Sequence, residues 1–416
     1  MARYWPLFSK GFLFVKRFIF ACFLVCFLLG LPVAGAVDLA GIDIHGFISQ
    51  GYLQSDENNY LGDSEEGSFQ FNEIGINFAK DLSDDLRIGM QIFSRDLGTV
   101  GNNTVEFDWA NGDYRWRDWL GVRVGLMKMA HGLYNETRDV DMLRTWVLLP
   151  QAVYDETSRD YYTRMWGGEL YGTIPIGAGG DLKYRALIGS YTPDSDESGL
   201  TRFAENRGVP VTVDGFDNGV QYNGSLQWHT PVDGLRFGVT HWHQKNFTVE
   251  LRNTVPLGPT VPAGTPLEAA LENETTVFSV EYVRNRWTLV AEYNREDIGY
   301  SLPGTPIPRV EETGEAYYFG ASYRFTDWFE LGGYYSENYP DRDDKDGGRF
   351  VAAGEPDFRA WRKEVALTTR FDLADSWVLK LEGHRMNGAA SLFAEDHPDG
   401  FEEDWYLFAA KVTFSF

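Results

Sequence analysis

The sequence predicts an all-β protein, a transmembrane antiparallel up-and-down β-barrel of about sixteen strands with an inward-folded third outer loop that carries a short helix. Three observations predict it. Runs of apolar–polar alternation fill the chain after residue 40. The connectors between those runs are short and long in strict alternation. No later segment offers eighteen consecutive apolar residues, yet aromatic residues make up 15% of the chain and glycines number 44. A barrel touches lipid with every second residue, so it crosses a membrane at low overall hydropathy.

Residues 1–36 have the layout of a signal peptide. Lys10, Lys16 and Arg17 precede an apolar run from Phe18 to Leu31, and Ala34-Gly35-Ala36 supplies a small-residue cleavage site. This predicts export through the Sec pathway and a barrel over residues 37–416. Both cysteines, Cys22 and Cys26, fall in the leader, so the exported chain needs neither a disulfide nor a thiol catalyst. A formal net charge of −24 argues against nucleic acid as a partner.

Short connectors fall at 80–85, 115–119, 174–181, 230–234, 284–286, 324–328 and 372–376. Long ones fall near 55–68, 95–103, 129–161, 191–217, 245–274, 297–314, 338–358 and 388–404. Seven short turns and eight long loops join sixteen strands, with the short turns on the periplasmic side of a bacterial outer membrane. A propeller would not place its long connectors on alternate junctions. Within strands, Leu86, Ile88, Met90 and Ile92 oppose Arg87, Gln91 and Arg95. Tyr317, Phe319, Ala321 and Tyr323 oppose Tyr318, Gly320, Ser322 and Arg324. Gln221, Asn223, Ser225, Gln227 and His229 form an almost wholly polar face, as a water-filled lumen requires. Trp116, Trp119, Trp287, Trp328 and Trp377 lie at the short turns and Trp405 at the outer end of the last strand, positions suited to interfacial girdles. In that strand Tyr406 through Phe416 face lipid on one side, and Leu407, Ala409, Lys411, Thr413 and Ser415 face the lumen. Its backbone is expected to pair with Ile42–Gln54, because an open edge cannot persist in hydrocarbon. Sixteen strands enclose an aqueous channel, which conducts small hydrophilic solutes unless it is plugged.

The longest loop, 129–161, carries Trp146-Val147-Leu148-Leu149, too apolar to stand in water. A long loop with its own apolar residues packs against something, and the inner barrel wall is available. Thr137 or Asp139 is expected to cap a short helix through Met142 and Arg144, and Pro150 to stop regular structure beyond it. Charges crowd this level: Lys128, His131, Arg138, Arg144, Arg159 and Arg164 against Glu136, Asp139, Asp141, Asp155, Glu156 and Asp160. Opposed rings of charge at a constriction set ion preference. The competing reading is that they pin the loop; Asp141 and Arg144, three apart, can simply pair. Bases expected on the lumen wall are Arg87, Arg95, Arg123, Arg185, Arg236, Arg362 and Lys380. The facing acids are Glu73, Glu281, Glu292, Glu330, Glu364 and Glu382.

The run "GVRVGLMKMAHGLYNETRDVDMLRTWVLLPQAVYDE" (121–156) resembles the strand and third-loop signature of a bacterial porin family with the pattern G-x-x-K-x-P-x-G-L-Y-N-E-x-R-D. Gly125, Lys128, Gly132, Leu133, Tyr134, Asn135, Glu136, Arg138 and Asp139 match; Ala130 stands where the pattern has proline. The resemblance implies a sixteen-stranded homotrimeric channel with this loop at its eyelet. Similarity to phosphate-selective porins is more distant and carries no substrate with it. A terminal aromatic, Phe416 with Phe414, also resembles the signal read by the barrel insertion machinery.

Other chemistry is not supported. No G-x-S-x-G or other nucleophile motif stands out, so no enzyme is expected. His241 and His243 share a strand face, and no third histidine lies near for zinc. Asp341, Asp343, Asp344 and Asp346 gather carboxylates beside glycine as calcium loops do, but the EF-hand spacing is not met; a solvated loop is expected and no cofactor. Such loops can meet lipopolysaccharide through divalent cations. The function expected is an outer-membrane porin for passive diffusion, and the alternative is a barrel serving as sheath for a partner such as an electron-transfer protein.

Overall fold

The computed structural model describes residues 37–38 and 41–416, apart from 99, 194–198, 206–209, 218 and 306. The leader 1–36 lies outside the described residues. Sixteen antiparallel strands close into one barrel. They are β1 (Asp43–Ser55), β2 (Phe71–Asp81), β3 (Leu86–Leu97), β4 (Val105–Arg117), β5 (Leu120–Lys128), β6 (Arg164–Pro175), β7 (Asp181–Ser190), β8, β9 (Leu235–Asn253), β10 (Pro266–Arg284), β11 (Trp287–Ser301), β12 (Val310–Thr326), β13 (Phe329–Tyr339), β14 (Arg362–Ala374), β15 (Trp377–Asn387) and β16 (Asp404–Ser415). Strand β8 comes in two pieces, Val211–Asp217 and Val220–His229, both paired to β9. A two-residue strand, Val37–Asp38, pairs with the start of β1. The seven short turns fall where the sequence places them.

The seam closes as expected. Strand β16 pairs with β1 from Leu407↔Ser55 to Ser415↔Phe47. Beyond it, Phe416 and Gly46 exchange two backbone hydrogen bonds of 3.0 Å. Alternation then decides sidedness. Tyr406 is 51% exposed to the outside while Leu407, Lys411 and Thr413 are buried inside. Trp116, Trp119, Trp287 and Trp328 are about half exposed near the short turns, forming the girdle at that rim. Trp405 departs from the expectation. It is fully buried, packs edge-on against Tyr60 at 5.5 Å, and donates to the Gly388 carbonyl at 3.1 Å. Its parity on β16 is that of Leu407 and Lys411, so it points inward and is a core residue.

Two expected loops are shorter than predicted. The connectors placed at 191–217 and 245–274 lose residues to β8, β9 and β10, the last two running 19 residues each. The cause is a change of sidedness. In the lower part of this wall Phe237 and Phe278 point outward, and Arg236 and Glu281 pair inside. A register shift between Gln244 and Phe247, with Asn246 at φ 56°, then brings the odd residues of β9 inward. Phe247, Val249 and Leu251 are buried with Ala269 and Leu271, whereas Lys245, Glu250, Arg252, Glu268, Glu272 and Glu274 are exposed. Apolar groups leave the outer surface where lipid ends. The inversion therefore marks the upper edge of the outer apolar band, and the hairpin above it turns its inward face onto the cluster that also holds Tyr161 and Tyr162.

Candidate functional site

The third loop, residues 129–163 between β5 and β6, lies inside the barrel and is bonded to its wall around most of the circumference. Its base is tied off by Met129 N–H donating to Thr163 O at 2.8 Å, with Asn135 Nδ2 reaching Met129 O at 3.0 Å. From there the chain crosses to β8 and β9. Asn223 grips both backbone groups of Ala130 at 2.8 Å, and Gly132 N–H donates to Thr240 Oγ1 at 2.9 Å. The Ala130 N–H is thus in use, and a proline at this position would forfeit that bond. Gly132 has φ 57°, and a Cβ there would lie 2.3 Å from the Tyr154 hydroxyl and 2.7 Å from Glu292, so only glycine fits. Leu133 N–H donates to Glu292 on β11 at 2.8 Å, and the Tyr134 hydroxyl to Glu281 on β10 at 2.9 Å.

The far side is held in the same way. Asp141 accepts from Thr413 Oγ1 at 2.9 Å on β16, and its carboxylate lies 3.0 Å from Lys380 and 3.5 Å from Lys411. Thr145 donates to Glu330 on β13 at 2.6 Å. Trp146 stands edge-on to Tyr334 at 5.6 Å. Val147 and Leu148 N–H both donate to Glu382 on β15 at 2.9 Å. Glu382 is itself 3.1 Å from His384, whose other ring nitrogen is 2.6 Å from Glu364. Arg95 on β3 reaches Glu156 at 3.2 Å and Asp160 at 3.1 Å. Three apolar clusters fill the space between these polar ties. Trp146, Leu149, Val153 and Tyr154 belong to one, Val147 and Leu148 to a second, Tyr161 and Tyr162 to a third.

The single helix expected from Thr137 or Asp139 through Arg144 does not form. Two one-turn 3-10 segments, Asn135–Thr137 and Asp141–Leu143, replace it, and neither has a side-chain cap. The carboxylates are committed elsewhere: Asp139 to Lys128 and Arg159, Asp141 to Lys380 and Lys411. An α-helical turn appears later, at Arg159–Tyr162.

The structure places most of the predicted constriction charges in contact, not facing one another across a gap. Lys128 bonds Asp139 and, at 2.7 Å, Asp108. Arg138 is 1% exposed and reaches Glu156 at 2.7 Å, Asn135 at 3.1 Å and Tyr154 O at 3.2 Å. Arg144 pairs with Asp141, three residues before it, at 3.4 Å, and also holds Arg138 O. Arg159 bonds Asp139 and Glu156. His131 is buried between Tyr154 and Tyr162 and bonds Val153 O at 2.8 Å. Arg164 stands apart, bracing Glu106 and Phe107 O of β4 and the Tyr191 hydroxyl. On the wall, Arg362 donates to Gln151 O at 3.2 Å and Lys380 to Asp141 O at 2.7 Å. Glu292 receives Tyr318 at 2.7 Å and Ser279 at 2.6 Å. Arg87 is about half exposed at the short-turn end, 3.4 Å from Asp81.

Burial would raise the carboxyls of Asp139, Asp141 and Glu156. The cations around them outweigh it and hold all three well below the usual carboxylate range. Burial pushes His131 down to about 4, against the smaller effect of its Val153 hydrogen bond. The imidazole is neutral at neutral pH.

Beneath the loop, on the β3–β7 side, lies a cavity of about 280 Å³ lined by Trp109, Asn111, Asp113, Arg123, Glu136, Glu169 and Arg185 among others. Here the charges are only partly covered. Glu136 is 42% exposed at its side chain, Arg123 28% and Asp113 22%. Trp109, Asp113 and Glu169 were not among the residues expected here; Glu169, inward by its alternation with Leu170, carried the only legible signal. Lys411, a lone lysine in the last strand that faces the lumen by its alternation, also holds the loop through Asp141. The acidic run at 341–346 is engaged internally, Asp341 with Arg349 and the Asp343 amide, Asp344 with the Arg349 amide. Among the described residues no cluster of His, Cys, Asp and Glu has metal-binding geometry.

No protein-family model matches the chain, and no curated protein does. Solved structures do. OmpT, an outer-membrane protein of Vibrio cholerae, aligns with a TM-score of 0.54 at 10% identity over 92% of this chain and 100% of its own. OmpF of Salmonella typhi gives 0.53 at 14% identity over 90% and 97%. The outer-membrane channel DcaP of Acinetobacter baumannii gives 0.51 at 12% identity over 92% and 100%. The likeness is one of fold: a closed sixteen-stranded barrel of the class found in outer-membrane porins and channels.

Proposed function

We propose that this protein is an outer-membrane channel for passive diffusion of small hydrophilic solutes and ions, narrowed by its third loop. The observation that carries this reading is the loop held across a polar lumen, with a polar cavity left open beneath it on the β3–β7 side. A passage there would run between loop and wall. Its ion preference would come from the incompletely covered charges Glu136, Arg123 and Arg236, since those of Arg138, Asp139, Asp141 and Arg159 are matched at short range. The porin-signature resemblance supports the same reading and adds a trimer. The same apolar clusters disfavour the sheath alternative, because they occupy the space a threaded protein would need.

The purified protein in a planar bilayer should give stepwise, weakly voltage-dependent conductance in KCl. Absence of channels at low potential would overturn the proposal. Glu136→Gln should move the reversal potential in a salt gradient toward anion preference, and an unmoved potential would remove Glu136 from the selectivity account. Cross-linking in native membranes tests the trimer, with a monomer-only pattern counting against it.

A further inference from the structure

Of the loop's charges, Glu136 is the most exposed of those placed in ion pairs. Its partner is Arg185 on β7, which is 13% exposed. Arg185 does not depend on Glu136 for its position. Its Nε bonds Glu169, which is fully buried, and its Nη2 donates to Lys128 O at 2.8 Å. Glu169 in turn lies 3.4 Å from Arg123, and Arg123 bonds Asp113 at 2.8 Å. A guanidinium is therefore fixed at the cavity wall by partners behind it, while the carboxylate in front is 42% exposed to solvent. Arg185 Nη1 is the nitrogen that meets Glu136. The cavity beside the pair, about 280 Å³, is room for a small solute. Its wall includes the Trp109 ring, which lies so close to Gly89 that a Cβ there would be 2.9 Å away.

Solutes differ in what they leave behind when they enter this pair. An anion that takes Arg185 strands Glu136 without a cation, and a cation that takes Glu136 leaves the front of Arg185 unmatched. A neutral polyol competes poorly with either charge. A zwitterion places its carboxylate on Arg185 and its ammonium on Glu136, so both protein charges stay paired. We infer that the Glu136–Arg185 pair is a binding site for small zwitterions of the α-amino acid class, with Trp109 flanking the solute's side chain. The inference rests on the channel reading above and names the solute class of that site.

The test uses matched probes on the full-length protein in a bilayer bathed in KCl. L-alanine, L-lactate (the same frame with hydroxyl for ammonium) and glycerol are added in turn at equal concentration, and interruptions of the single-channel current are timed. The expected result is interruptions severalfold longer or more frequent with alanine than with lactate or glycerol. Glu136→Gln, which alters the exposed partner and leaves buried Glu169 with its cations, should bring alanine down to the lactate level. Arg185→Gln should do the same. Equal effects of alanine and lactate on the unmodified channel would overturn the inference while leaving the channel intact. An alanine preference that survives both substitutions would overturn it as well. Absence of KCl current would sink the channel reading itself.

Discussion

Asp141 shows how single charges hold the loop. It faces Lys380 and Lys411, both essentially unexposed, from a position that is itself 2% exposed. A buried pair adds little over an apolar replacement, but removing one partner strands the other, at a cost of about 3–5 kcal/mol. Asp141→Asn should therefore weaken loop docking by that order, read as new protease cleavage within 139–150. Pairing it with Lys380→Met should recover part of the loss, and protection equal to wild type in the single variant would refute the role. The pH dependence follows from the same groups. Carboxyls held below their unfolded values contribute fully well above about pH 4 and lose their contribution progressively as pH falls from there to the depressed folded values. Asp139, Asp141 and Glu156 should thus keep the loop docked through mild acid. His131 acts in the same direction over a higher window. Its ordinary value is about 6.5 and its folded value about 4, so the unfolded chain takes up the proton first and stability falls as pH drops across that window. His131→Gln should flatten the slope of unfolding midpoint against pH between those limits; an unchanged slope would contradict the assignment.

At the scale of the loop, Trp146 fits because the wall opposite lacks side chains. A Cβ on Gly332 would meet its ring at 2.7 Å, and one on Gly320 at 3.1 Å. Gly332→Val should displace the indole and raise both mean conductance and current noise; a silent substitution would mean the ring is not seated there. The inward turn of this loop was legible because Trp146 to Leu149 have no stable place in water. The form it takes was not legible. Helix signals at Thr137 and Asp139 are local, and they lost to charge partners: Asp139 to Lys128 and Arg159, and Asp141 to Lys380 and Lys411 on strands more than two hundred residues away. The split between selectivity and anchoring was hidden for the same reason. A list of arginines and acids does not reveal which of them end in contact, and Arg138, matched to Glu156 and two carbonyl-type oxygens, is an anchor.

At the scale of the whole barrel, strand number and turn placement were readable from period-two alternation and alternate connector length, which depend on local sequence alone. The extra height of β9 and β10 was not. Above Gln244 the same alternation continues with its faces exchanged, so the pattern looks like a polar loop unless the bulge at Asn246 is known. That exchange makes a prediction about depth. Phe278 and Glu274 lie on one outward face of β10, four residues apart. Phe278→Lys should cost about 2–4 kcal/mol in a lipid bilayer and Glu274→Lys about 0–1, measured by denaturant unfolding in vesicles. Equal costs would move the membrane edge. A docked third loop that is the narrowest part of a conducting tube, as proposed above, must limit its current. Single-channel conductance of the wild type against a variant with the loop released, Trp146→Ala with Glu382→Gln, tests it most directly. The expected result is small, regular steps for the wild type and severalfold larger ones for the variant. Identical steps, or no channels from either protein, would contradict it.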